Sequence, residues 1–194
     1  MLVVSFGFIF VSNYSLIAMT EKQKAILNVA LQLFAERGFN AVPTSLIAKE
    51  AGVSEGLIFR HFQNKVGLLD AIMQLGMDNI AEQMDELSKI ENPEELIQQI
   101  MEMPFHISET EFPFWRLVYS LKWQTAYYND EMSKPIKILL IKALAALKYN
   151  DVEMEANLIM SYIDGFATTI LLKGNQVNKQ QLLATLKKKY NPTN

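Results

Sequence analysis

Residues 44–63 read TSLIAKEAGVSEGLIFRHFQ, two helical phrases that meet at Gly52 with barely a turn between them. Helices this short are marginal alone, because a costly nucleus is spread over few backbone hydrogen bonds. Packing must hold them. Two helices joined by so tight a turn touch close to it, which favours a small residue on the first, supplied by Ala48. The turn needs a residue tolerant of positive φ, supplied by Gly52, and the second helix needs an apolar lock, supplied by Ile58. Small, hinge and lock residues at this spacing are those of a helix-turn-helix. A helical hairpin within some larger core explains the short helices poorly.

The flanking sequence reads as helix after helix. Thr20 and Gln23 form a capping-box pattern, and Ile26, Ala30, Leu33 and Phe34 recur at helical spacing until Gly38 offers a left-handed stop. Thr44 is expected to cap the second helix, Ser54 the third and Asn64 a fourth, which carries Leu68, Leu69, Ile72 and Met73 into the 80s. Asn92-Pro93 opens another helix with proline in its first turn. Further helical patterns cover about 111–128, 131–149, 152–173 and 179–190. No segment alternates cleanly enough for a strand, and no repeat or long linker stands out. The predicted fold is all-α: a three-helix head at 19–66, then a helical domain over 67–194.

Composition narrows the chemistry. Half of the 194 residues are hydrophobic, enough for a sizeable core. With no cysteine, disulfides, thiolate catalysis and cysteine-ligated metals drop out. His61 and His106 are too few and too far apart to suggest a metal cluster, so neither metal nor cofactor is expected. Paired carboxylates with a histidine, a nucleophile motif and a phosphate loop are all missing, so the chain is not read as an enzyme. A formal charge of −3 argues against a generally basic coat, although residues 19–70 are slightly positive. The uncharged stretch 1–18, MLVVSFGFIFVSNYSLIA, lacks a basic start and a small-x-small cleavage site. Polar residues dilute it as a membrane span, and the plainer expectation is an overextended start, with Met19 the natural one.

The segment IAKEAGVSEGLIFRHFQNKVGLL closely resembles the DNA-binding part of the TetR (tetracycline repressor-like) transcriptional regulators. The likeness runs from the Thr20 helix to about Met73, and beyond it only length and helical layout match. It departs at Phe59, where the family usually has tyrosine, and at Pro43, which replaces a residue able to donate its backbone N–H. The resemblance implies that the third helix enters the DNA major groove while neighbouring groups grip phosphates. Ser54, with the free N–H groups after it, and Thr44 on the other flank suit phosphates. Both would serve as caps even without DNA. Gly56 admits a close backbone, Leu57 a thymine methyl, and Arg60 a guanine edge or a phosphate. His61 and Lys65 lie where family phosphate contacts carry over. Glu55 suits a polyanion badly and reads as solvated in preference to pairing with a cytosine amino group. Phe62 reads as core, and Phe59 as either core or a base-stacking aromatic of the DNA-binding set.

Aromatics and methionines crowd the second half, and Trp115, Tyr119 and Trp123 share one helical face. Any one of them is most simply core. The resemblance nevertheless implies an effector pocket, expected to draw on Met101, Phe105, Trp115, Tyr119, Trp123 and Tyr162, with His106 or Gln124 as polar handles. It also implies a homodimer built on the last two helices, where Leu158, Ile159, Tyr162, Ile163, Gly165, Phe166, Ile170, Leu182, Leu183 and Leu186 lie. Two recognition helices about one turn of DNA apart, ~34 Å, would then read a palindromic operator. The expected protein is a cytoplasmic repressor released from double-stranded DNA by a small hydrophobic ligand, with no membrane partner. A constitutive DNA-binding regulator that senses nothing is the alternative.

Overall fold

The computed structural model describes residues 19–124 and 131–190, with side chains described as far as 188. Residues 1–18, with the question of the natural start, and Tyr127 and Tyr128 lie outside the described residues. Among the described residues every regular element is helical, as predicted. The order is α1 (Glu21–Arg37), α2 (Thr44–Glu50), α3 (Glu55–Phe62), α4 (Lys65–Ser88), α5 (Pro93–His106), α6 (Phe112–Leu121), α7 (Lys134–Ala146), α8 (Val152–Lys173) and α9 (Lys179–Tyr190). Short 3-10 turns at Glu109–Glu111 and Gly174–Gln176 precede α6 and follow α8.

The chain forms two compact units. The first holds described residues 19–82 and 110–124, the second 83–109 and 131–190. This differs from a division at 66/67, because α6 and most of α4 fall with the head. Within the first unit, α1 starts on the expected capping box: the Gln23 N–H donates to Thr20 Oγ1 at 3.3 Å, and the Thr20 N–H donates back to Gln23 Oε1 at 2.9 Å. Its inward face buries Ile26, Ala30 and Phe34 completely. α1 packs against α2 and α6. The α6 side chain Phe114 is fully buried at Gly76 of α4, where a Cβ would stand 2.0 Å from the ring. Only a glycine lets that ring lie so close to the helix backbone, so one residue keys α6 to α4.

In the second unit, Asn92 caps α5 by accepting from the Glu94 and Glu95 N–H groups at 2.9 and 3.2 Å, with Pro93 at the first turn. α5, α7 and α8 pack on one another, and α9 packs on α5. Their shared core includes Leu96, Ile100, Leu140, Leu144, Ala156 and Ile170. One carboxylate, Glu102 of α5, is only 5% exposed. It accepts from Gln98 Nε2 at 2.7 Å and pairs with Lys187 Nζ of α9 at 3.0 Å, with His106 Nε2 at 3.8 Å. Lys179 Nζ donates to the Ile107 carbonyl at 2.7 Å, a second tie between α9 and the end of α5.

Candidate nucleic-acid interface

The turn between α2 and α3 is built as its residue types require. Gly52 takes φ +66°, its N–H donates to the Lys49 carbonyl at 3.2 Å, and the Val53 N–H donates to the Ala48 carbonyl at 3.0 Å. This pair of bonds closes α2 and reverses the chain. Ala48 and Ile58 are buried beside it, at 4% and 0% exposure. Phe62 is buried too, so the inner face of α3 is Ile58 and Phe62. Its outer face presents Ser54, Gly56, Phe59, Arg60 and His61, with Leu57 half-buried. Phe59 is 47% exposed, which settles it as surface.

Several expected roles change. Thr44 does not cap α2: Pro43 is the N-cap, its carbonyl accepting from Leu46 and Ile47 N–H at 3.1 and 3.4 Å, and Thr44 is the first helical residue. The Thr44 hydroxyl instead donates to Glu55 Oε1 at 2.6 Å. Glu55 is therefore half-buried and engaged rather than solvated. Ser54 occupies the N-cap position of α3 but makes no side-chain cap bond, so its hydroxyl stands at the rim of the helix start. Asn64 does cap α4, accepting from the Gly67 N–H at 2.9 Å. Lys65 is committed to the scaffold: Nζ donates to the Phe39 and Asn40 carbonyls at 2.9 and 3.2 Å and lies 4.6 Å from the Phe39 ring centre. A phosphate must share Lys65 with that loop. His61 meets the Phe62 ring edge-on at 6.2 Å, while Arg60 is exposed and makes no hydrogen bond or ion pair among the described residues.

The residues expected to line one pocket divide between the units. Met101, Phe105, His106 and Tyr162 belong to the second, and Trp115, Tyr119, Trp123 and Gln124 to the first. Trp123 is 90% exposed, which removes it as a pocket wall of this subunit. Gln124 accepts from Asn40 Nδ2 at 3.1 Å within the head unit. In the second unit the rings of Phe105, Phe166 and Tyr162 form a run, with centres 4.9 and 4.5 Å apart. The residues named for a dimer contact also separate. Ile163, Ile170 and Leu186 are buried in their own subunit, and Ile159, Tyr162, Phe166, Leu182 and Leu183 are half-buried. Leu158 and Gly165 face outward. They belong to a stripe, Met154, Leu158, Ser161, Gly165, Thr168 and Leu172, exposed along α8 at alternating four- and three-residue steps. Sequence patterning missed Met154 and Leu172 in it, although the same spacing would have found them.

A buried three-helix core with a glycine-turned α2–α3 pair and an outward α3 defines a helix-turn-helix protein. Residues 26–72 match the family model for bacterial regulatory proteins of the tetR family. The helix-turn-helix segment is therefore similar to that of the tetR family. It is 43% identical over 61 residues to the transcriptional regulator YvkB of Bacillus subtilis, a match covering 31% of this chain and 32% of YvkB. The chain thus spans about a third of the length of that curated relative. Two solved structures share the fold at lower identity. A protein from Saccharomonospora viridis in complex with choline superposes with a TM-score of 0.73 at 16% identity, covering 90% of this chain and 98% of its own. AibR, solved with isovaleryl coenzyme A and operator DNA, gives 0.66 at 22% identity, covering 86% and 96%. The expectation of a non-enzymatic protein agrees with relatives named as transcriptional regulators. Among the described residues no helix is long and apolar enough to cross a membrane.

Proposed function

We propose that this protein is a sequence-specific DNA-binding transcriptional regulator, acting as a cytoplasmic homodimer on a palindromic operator. The carrying observation is α3: Ile58 and Phe62 are spent on the head's core, and Arg60 is left outward with no protein partner among the described residues. A cation so placed suits a guanine edge or a phosphate. The stripe on α8 supports self-association, since the small residues Ser161, Gly165 and Thr168 lie between the exposed Leu158 and Leu172. A Cβ at Gly165 would meet nothing within 4 Å, so a partner helix can approach the backbone there.

Occupancy of the operator is set, in this reading, by a small hydrophobic effector that releases the protein. Support comes from the Phe105–Phe166–Tyr162 run and from the small molecules present in the choline-bound and acyl-CoA-bound neighbours. A coupling of about 1–3 kcal/mol between ligand and DNA suffices for a substantial change in occupancy. The test is selection of bound duplexes from random DNA. A two-fold symmetric motif is expected, with binding that weakens as salt rises and that Arg60→Ala lowers by about 1–3 kcal/mol. Unselective binding, or none, refutes the reading. A DNA affinity that ignores every saturating hydrophobic ligand removes only the effector.

A further inference from the structure

The bond between Thr44 and Glu55 joins the first residue of α2 to the first residue of α3. At 2.6 Å it has the length of a hydroxyl donating to a carboxylate. A hydroxyl carries one proton, so while Thr44 gives it to Glu55 it has none for a DNA phosphate. Its lone pairs would repel one. The carboxylate has two oxygens and Thr44 uses Oε1, so Oε2 keeps its capacity to accept. Glu55 is also partly shielded, unlike the exposed Ser54, Gly56 and Arg60 around it. A free glutamate would sweep many rotamers, whereas this one is tethered to Thr44 before any partner arrives.

We propose, on the footing of the DNA-binding reading, that Glu55 selects a base and that Thr44 is its positioning residue. Glu55 Oε2 accepts from the exocyclic amino group of a cytosine in the major groove. Guanine and thymine present acceptors where the carboxylate needs a donor. Adenine offers an amino group, but its N7 lone pair lies beside it and opposes a second carboxylate oxygen; cytosine carries no such neighbour. The same carboxylate repels phosphates, so Glu55 lowers affinity for DNA in general and raises discrimination. Specificity gained through a repulsive group is a difference of affinities, not a sum of contacts.

Selection of bound duplexes from random DNA by the full chain, repeated with Glu55→Gln, Thr44→Val and Thr44→Ser, tests this. The unaltered protein should require cytosine at one position of each half-site. Glu55→Gln should lose that preference by about tenfold or more while the remaining positions keep theirs, and its binding to random DNA should rise. Thr44→Val should weaken discrimination at the same position, and Thr44→Ser should restore it. A Glu55→Gln motif identical to the original, or adenine in place of cytosine at that position in the motif of the unaltered protein, overturns the assignment; a switch from cytosine to adenine in Glu55→Gln supports it, because glutamine pairs with adenine. Thr44→Val lowering affinity equally at all positions makes Thr44 a phosphate contact and overturns its positioning role. If the unaltered protein yields no motif, the DNA-binding reading itself has failed, an outcome separate from these.

Discussion

The head and the second unit hold their helices by different means. α2 and α3 have 7 and 8 residues, too few to persist without neighbours, and each is fixed at identified points. Gly52 turns the chain, Ala48 and Ile58 close the corner, and Lys65 ties down the loop before α2. α5 and α8 have 14 and 22 residues and meet over broad apolar faces that many combinations of Leu, Ile and Ala would satisfy. The head therefore carries obligatory residue types in a short window, and the second unit carries a pattern. The family model matches within the head, at residues 26–72, whereas the fold likeness covers most of the chain.

The contrast gives graded expectations. Phe114→Ala should be the costliest single truncation, about 3–5 kcal/mol, because it empties the contact at Gly76 that keys α6 to the head. Thermal unfolding of the full chain checks it; a loss below about 1 kcal/mol would show that the head stands without α6. Lys187→Ala should cost about 2–3 kcal/mol, since it strips the ammonium from the buried Glu102 while Lys187 itself is partly solvated. Adding Glu102→Leu should recover most of that loss in urea denaturation, because the uncompensated charge then goes too. Failure to recover would mean that the pair also fixes how α9 seats on α5. Gly52→Ala should cost about 1–2 kcal/mol, from backbone strain alone, because a Cβ there meets nothing within 4 Å. DNA binding should fall further than stability does, if the angle between α2 and α3 sets the fit to the groove.

Much of this was legible beforehand. The Thr20 capping box, the Asn64 and Asn92 caps, the span 152–173 and the turn at Gly52 all follow from local chemistry, where a side chain serves backbone groups a few residues away. Thr44 and Glu55 were misjudged for the opposite reason. Each has a sound local role, cap and solvated charge, and the bond that replaces both roles spans eleven residues and exists only once Gly52 folds the chain back. Trp115 and Tyr119 look like part of an effector domain by position in the chain, yet α6 packs with α1.

By itself the sequence determined the helical order, the caps at Thr20, Asn64 and Asn92 and the corner at Gly52, because those depend on backbone geometry and on partners a few residues distant. Tertiary structure decided which polar groups are spoken for: Glu55 by Thr44, Lys65 by the loop at Phe39, Glu102 by Lys187. It also decided which apolar residues of α8 turn inward and which remain outside. Such choices depend on which helix lies alongside, and a side chain's periodicity is the same whether the neighbour is its own chain, a second copy or water.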